Sequence, residues 1–498
     1  MRLSGVRFRF SLALVAGALY PLSFAPLNLA PLAPLSLAIL FFVWRCASAR
    51  EAGVLGFVFG LATFAVGISW VYVSLHQYGN MPAPLAAVAV IIFAGLMAVY
   101  PALAGWGQAC FRPLSPAMRC ITVMPALWVA GEWLRGTLLS GFPWLYLGYS
   151  QVDTPLASLL PLVGALGVSL WGALAGGALL LVVMQKGRER TGALAVLAVL
   201  AIGVALSRIP VFVQAVGEPI EVAVIQNNIS LKDKWQSGQA HVIATRYFEA
   251  SRPLSGVDLI VWPEGALPAY LDQISAGFLN ALHQHPSDFL IGLLERSDRV
   301  AGSDYYNAAL GIGEQTSLYR KHQLVPFGEY LPLAPLLGWL LDYLNIPMSD
   351  FSAGPGQQAP LPLAGQQIGV SICYEDAFST RINTALPDAT VLANLSEDAW
   401  FGDSLAPHQR LQMARARALE TGRPMIRSSN NGLSSLIGPD GVVNALAPQF
   451  ETAVVRGTVQ PMTGLTPAVR YGNLPAGLAC LFLLGIGLWR RKAAGGHA

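Results

Sequence analysis

Eight windows of mostly apolar sequence govern how this chain can fold: seven precede residue 209, one follows residue 473, and a stretch of mixed composition lies between. A helix crossing a bilayer needs about 20 mostly apolar residues, because in hydrocarbon it must satisfy its own peptide groups. The windows run near 8 to 25, 28 to 45, 53 to 74, 84 to 106, 120 to 134, 157 to 184, 192 to 208 and 474 to 489. The fifth is short and ends in Glu132, Trp133 and Arg135, a cluster suited either to lipid head groups or to anchoring the span at the interface. With 54% hydrophobic and only 12% charged residues, the chain is too apolar for a soluble globular protein of 498 residues. The expected fold class is a polytopic α-helical membrane domain of about eight spans carrying an inserted α/β domain. Residues 1–208 would form seven transmembrane helices, 209–473 the soluble domain, and 474–498 a last span with a basic tail. A net charge of only +3, with no basic stripe interleaved with aromatics, argues against nucleic acid as a partner.

The first window has a basic lead like a signal peptide, but no small-residue cleavage site follows and a second span begins at once, so it is read as an anchor. Positively charged short loops stay cytoplasmic. With Arg2, Arg7 and Arg9 inside, the loops on the same side hold Arg45, Arg50, Arg112, Arg119, Lys186, Arg188 and Arg190, and the tail adds Arg490, Arg491 and Lys492. The opposite short loops, 75 to 83 and 135 to 156, contribute only Arg135. Both termini are thus expected in the cytoplasm of a bacterium, with the inserted domain in the periplasm against the inner membrane.

Within the insert, β-rich runs alternate with helix-like stretches. "IEVAVIQNN" (220–228), "DLIVWPE" (258–264), "DFLIGLLER" (288–296), "NAALGI" (307–312), "QIGVSICYE" (367–375), "ATVLANLS" (389–396), "PMIRSSNNG" (424–432) and "LSSLIGPDG" (433–441) read as strands. Helices are expected at 237–250, 272–284 and 406–421. Near-continuous Val, Ile and Leu runs fit strands buried on both faces, hence a sheet layered with helices.

Cys373 is the one cysteine of this domain, the other four lying at 46, 110, 120 and 480. In an oxidising compartment such a thiol is either a small buried hydrophobe or a reactive group. Its neighbours decide. Two strands end in chemistry: "DLIVWPE" delivers Glu264 and "IGVSICYE" delivers Cys373, and residues at strand ends are held rigidly while facing a cleft. Lys321 stands in "YRKHQLVPFGEYLP", with Glu329 beyond the turn. Singly each has an ordinary reading: Glu264 as cap of a following helix, Lys321 as a solvated charge, Glu329 as partner of Arg320. Together they make an acyl-transfer machine. A glutamate can take the thiol proton and return it to a leaving group, and a lysine ammonium can stabilise the oxyanion. Papain-like catalysis would need a histidine, and of His283, His285, His322 and His408 only His322 lies near these motifs, as a rival base.

The ordered set WPE, YRKHQLVPFGEYLP and ICYED resembles the Glu, Lys and Cys signature of the carbon–nitrogen hydrolase (nitrilase) superfamily, and NLSEDAWFG with HQRLQMARARALETGRP resembles the later part of that domain. With the flanking spans, GFPWLYLGYSQ at 141–151 and the pair Lys234 and Trp235, the chain resembles the apolipoprotein N-acyltransferase family of Gram-negative bacteria. The resemblance implies an αββα sandwich. It also implies transfer of an acyl chain from a phospholipid, usually phosphatidylethanolamine, through a cysteine thioester to the α-amino group of a diacylglyceryl-cysteine lipoprotein. Carried over by position, Cys373 is the nucleophile, Glu264 the general base, Lys321 the oxyanion-stabilising residue and Glu329 the group that orients the lysine. Tyr374, Glu375 and Trp235 match positions near the thioester or the substrate entrance. Glu397, in LSEDAW, stands where the family's asparagine is expected, which places one local contact in question.

"YLPLAPLLGWLLDYLNIPM" (330–348) is too apolar for an exposed loop and too proline-broken for a span; it reads either as a lid over acyl chains or as domain core. No Cys or His cluster has metal-ligand spacing and no glycine-rich phosphate loop occurs, so no cofactor is expected. The protein is expected to act as a monomer. The alternative readings are a membrane-anchored nitrilase-type amidase and a non-catalytic membrane scaffold.

Overall fold

The structure, a computed structural model, describes residues 2–208, 211–236, 238–297, 304–331 and 350–495. Contacts divide the chain into two compact units. One comprises Met1–His76, Pro82–Pro210 and Arg470–Ala498; the other comprises Gln77–Met81 and Val211–Val469.

The second unit opens with β1 (Val213–Ala215), paired antiparallel with β15 (Met462–Gly464). Between them run two sheets. The first has the order β14 (Ala453–Val459), β2 (Ile220–Gln226), β3 (Leu259–Val261), β5 (Asp288–Arg296), β6 (Tyr305–Ile312), β7 (Thr316–Arg320), with β4 (Leu267–Tyr270) beside β5. The second runs β13 (Val443–Leu446), β12 (Ser435–Ile437), β11 (Met425–Ser429), β10 (Val391–Ser396), β9 (Gln366–Ile372), β8 (Leu361–Leu363). Parallel pairs hold the centre of each sheet and antiparallel strands close the edges.

Side chains alternate between the faces of a strand, and here both faces are buried. Val222 and Val224 of β2 share a core with Ile368 and Ile372 of β9 and with Val391 and Ala393 of β10, so the two sheets face each other. Ala223 and Ile225 turn the other way, onto Ile243 and Tyr247 of the helix Gln239–Ser251 and Leu282 of the helix Ala276–His283. Leu392 of β10 packs on Ala414 and Ala418 of the helix Leu405–Thr421. The layers are thus helix, sheet, sheet, helix, as the resemblance implied. The expected strand 258–264 is shorter than its apolar run, Leu259–Val261, because Pro263 has no N–H to donate and the chain turns at Gly265 with φ +54°. That turn comes so close to β5 that a Cβ on Gly292 would lie 2.2 Å from the Pro263 carbonyl oxygen.

In the first unit all eight apolar windows fall on helices: Arg2–Leu19, Leu32–Trp44, Ala49–Gly67, Ala83–Ala109, Val123–Thr137, Leu160–Met184, Gly187–Leu206 and Leu474–Gly495. Among the described residues five helical stretches are long and apolar enough to cross a membrane: Ala49–Gly67, Ala83–Ala109, Pro155–Met184, Gly187–Leu206 and Leu474–Arg491. Leu32–Trp44 has only 13 residues and Val123–Thr137 only 15, while Arg2–Leu19 carries three arginines. Large apolar side chains face outward, among them Val199 at 64% and Phe482 at 68% exposure.

Glu132 and Arg135 are both buried, and only Trp133 of that cluster is exposed. They hold the segment 141–151, whose backbone leaves the regular helix. Glu132 Oε1 accepts from the Leu147 N–H at 2.9 Å and from Trp128 Nε1 at 3.1 Å. Arg135 Nη1 donates to the carbonyls of Phe142, at 2.8 Å, and Trp144. A Cβ on Gly148 would lie 2.1 Å from the Ala165 carbonyl oxygen, so the glycine of GYSQ permits a close backbone approach. Most of the 330–348 stretch, residues 332–348, lies outside the described residues.

Candidate active site

Cys373 is the first residue past β9 and has φ +50°. For a residue with a Cβ that backbone costs roughly 1–2 kcal/mol, and strain of this kind collects at functional sites. The bend is held from inside: the Cys373 carbonyl accepts from Arg410 Nη2 at 2.6 Å and from Asn394 Nδ2 at 3.1 Å. The residue as a whole is half-buried.

The two acids that follow the cysteine each have a task. Fully buried Glu375 accepts the N–H groups of His322 at 2.9 Å and Gln323 at 3.0 Å on Oε1, and Tyr319 Oη and the Ile372 N–H, both at 2.8 Å, on Oε2. It therefore ties the loop bearing Lys321 to the bend bearing Cys373. Asp376 is paired with Arg410 at 3.2 Å and Arg427 at 2.9 Å, and Asp398 with the same two arginines at 2.9 and 3.0 Å.

Glu264 leaves the end of β3, and its carboxylate is fixed on both oxygens. Oε1 accepts from Asn307 Nδ2 at 2.6 Å and Oε2 from the Glu397 N–H at 2.9 Å. No helix follows it; β4 does, so it caps nothing. Lys321, the residue after β7, is 1% exposed. Its Nζ lies 2.8 Å from Glu329 Oε1 and 3.6 Å from Glu264 Oε1. Glu329 does not pair with Arg320, whose guanidinium forks onto Glu295 with both contacts at 2.6 Å. Asn307 Nδ2 also reaches Glu329 Oε1 at 3.1 Å, so one amide spans both glutamates.

Burial, and after it the Glu264 carboxylate, push the Cys373 thiol up to about 12, against the pull of Arg410 and Lys321. Burial alone would discharge the Lys321 ammonium, but the carboxylates of Glu329 and Glu264 outweigh it and hold the lysine charged well above its usual range. At neutral pH the arrangement is thus a protonated thiol, a fixed cation and a carboxylate acting on that thiol. Of the carboxylates acting on the thiol, Glu264 opposes its ionisation most strongly.

Of the other expected residues, Tyr374 is buried with its ring edge-on to Phe378 at 4.9 Å, and Trp235 is 40% exposed with Lys234 Nζ 6.0 Å from its ring centre. His322 has its Nδ1 2.7 Å from the Gly354 carbonyl oxygen, a bond that fits a backbone anchor better than a base. Glu397 fills the position of the expected asparagine and is buried against Lys234, whose Nζ also donates to the Glu264 carbonyl at 3.0 Å. Burial pushes the Glu397 carboxyl up and the lysine pulls it back. Asn307, Asp376, Asn394 and Arg410 were not singled out by the sequence; a buried Asn in an apolar strand and an Arg on an otherwise buried helix face were the available signals. Among the described residues no group of three or more His, Cys, Asp or Glu is placed to hold a metal ion.

Residues 16–179 match the family model described as apolipoprotein N-acyltransferase N-terminal domain, and residues 221–468 match the carbon–nitrogen hydrolase model. The apolipoprotein N-acyltransferase of Methylococcus capsulatus is 42% identical over 97% of this chain and 96% of its own. That of Nitrosomonas europaea is 42% identical over 94% of each chain. Among solved structures, a Saccharomyces cerevisiae member of the nitrilase superfamily aligns with 50% of this chain and 93% of its own, at TM-score 0.39 and 18% identity.

Proposed function

Because the chain belongs to the apolipoprotein N-acyltransferase family, we propose that it moves an acyl chain from a phospholipid, phosphatidylethanolamine for choice, to the α-amino group of a diacylglyceryl-cysteine lipoprotein. The observation that carries this reading is the convergence on one strained cysteine of a fixed carboxylate, Glu264, and a buried ammonium, Lys321.

The reaction runs in two halves. Glu264 takes the Cys373 proton as sulfur attacks the ester carbonyl, and Lys321 balances the charge that develops on oxygen. The C–O bond breaks, Glu264 returns its proton to the leaving lysophospholipid, and a thioester remains. The lipoprotein amine then attacks; its proton passes to Glu264, the C–S bond breaks, and the proton returns to sulfur. Glu329 and Asn307 hold the lysine and the base in register, and Glu375 holds the lysine's loop to the cysteine's bend. Tyr374 and Trp235 face the incoming lipid groups. No cofactor enters the sequence.

Apolar helices with outward-facing apolar side chains mark a membrane protein. In the arrangement we propose, eight spans, seven within 1–208 and one within 474–498, hold the domain 209–473 in the periplasm of the inner membrane, with both termini in the cytoplasm and a single chain as the working unit. The positive loops support that orientation.

The test is intact mass spectrometry of the purified protein incubated with phosphatidylethanolamine, beside Cys373→Ala. An added acyl mass is expected on the wild type alone, removed by hydroxylamine and discharged by a diacylglyceryl peptide with a free N-terminus. A folded wild type that gains no adduct overturns the thioester; an adduct discharged by water and never by the peptide converts the reading to a hydrolase.

A further inference from the structure

Beneath the cysteine lies a ring of four fully buried charges, Arg410, Arg427, Asp376 and Asp398, with Asn394 at its edge. Its charges cancel, so as a core element it is self-contained. One member reaches out of it. Arg410 Nη2 donates to the Cys373 carbonyl at 2.6 Å, and Arg410 Nη1 lies 3.6 Å from Cys373 Sγ, within N–H to sulfur hydrogen-bond range. A guanidinium is a rigid planar fork that stays charged in a buried setting, and this one is locked by both aspartates.

We propose that Arg410 is a further catalytic residue, whose guanidinium donates to Cys373 Sγ whenever the sulfur carries negative charge. This deepens the acyl-transfer reading and rests on it. The charge appears twice: as the S–H bond breaks and sulfur attacks the ester, and again as the C–S bond of the thioester breaks and the thiolate leaves. In both halves the proton goes to and from Glu264; Arg410 exchanges none. The charged groups that act on the sulfur are Glu264 and Glu329, which oppose its ionisation, and Arg410 and Lys321, which favour it. Lys321 lies against Glu329 and Glu264, whereas Arg410 Nη1, which also donates to Ser396 Oγ and to Asp398 Oδ1 at 2.9 Å, is the cationic nitrogen with a hydrogen-bond contact to the sulfur among the described residues.

The experiment measures the second-order rate of Cys373 alkylation by iodoacetamide in the full-length, detergent-solubilised protein, by peptide mass spectrometry at pH 7 to 10, together with the rate of acyl-adduct formation from phosphatidylethanolamine. An opposite charge at this range moves a pKa by about 1–3 units, so Arg410→Met is expected to slow alkylation roughly 10-fold or more at every pH. Adduct formation should slow with it. A residue that only pins the bend would do the reverse, since its loss would loosen the strained turn and expose the thiol. A folded Arg410→Met that alkylates as fast as wild type, or faster, overturns the proposal. If that variant does not fold, Arg410→Lys carries the test: keeping the charge but losing the two-point grip, it should alkylate no faster than wild type, and a faster rate overturns the proposal. The two readings separate cleanly. Slowed alkylation with no adduct on the wild type retains the contact between Arg410 and the thiol and removes the transferase chemistry.

Discussion

At the scale of single residues, the site is an arrangement of anchors for a cysteine whose backbone alone is unfavourable. Strain at Cys373 is tolerated because its carbonyl and the following two acids are each tied to a different element. The electrostatics then fix the sign of a pH response. With the thiol pushed up to about 12, the thiolate fraction rises about tenfold per pH unit below that value, and alkylation of the wild type should climb accordingly from pH 7 to 10. Glu264→Gln removes the carboxylate that raises the thiol. Alkylation at pH 8 should therefore speed up about tenfold, while acyl transfer, deprived of its base, falls about 100-fold or more. Slower alkylation in that variant would remove Glu264 from the neighbourhood of the sulfur. Glu264 and Cys373 could be singled out in the sequence because each stands where an apolar run stops, and Lys321 because basic residues there lead into a Pro and Gly turn. Arg410 and Asn307 were not: they meet their partners across 37 and 43 residues of chain, and nothing local marks a buried Arg or Asn for such a contact.

At the scale of elements, the segment 141–151 shows how an irregular backbone is kept within a helical unit. Its peptide groups have side-chain partners, Glu132 for the Leu147 N–H and Arg135 for two carbonyls. The choice left open in the sequence, head-group binding or interface anchoring, is replaced by a third role, since neither charge faces outward. Leaving buried backbone groups unpaired costs about 1–3 kcal/mol each. Arg135→Leu should lower the thermal midpoint and speed hydrogen–deuterium exchange in 141–151 selectively. Wild-type protection across that peptide would show that other contacts hold it. Strand limits were legible to within a few residues wherever both faces are buried; at "DLIVWPE" the strand stops at Val261, three residues before the expected end at Glu264, because Pro263 has no N–H for the ladder.

At the scale of the whole molecule, the apolar windows all proved helical, yet helix length and composition single out five long spans among the described residues, because Leu32–Trp44 and Val123–Thr137 are short and Arg2–Leu19 carries three arginines. The orientation we propose can be read with cysteines the chain already has. Cys46 and Cys110 are free, exposed and sited in loops expected on the cytoplasmic side. A membrane-impermeant maleimide should label them in inverted membrane vesicles and leave them untouched in intact spheroplasts. Labelling in spheroplasts would invert the topology and place the sandwich in the cytoplasm.

The buried pair Lys234 and Glu397 couples two distant positions of the chain. Removing one partner of such a pair costs about 3–5 kcal/mol, whereas exchanging both can be nearly neutral. An asparagine placed at 397 in this chain would leave Lys234 without its carboxylate partner beside the backbone of Glu264. Position 397 therefore tolerates a neutral side chain only together with a change at 234.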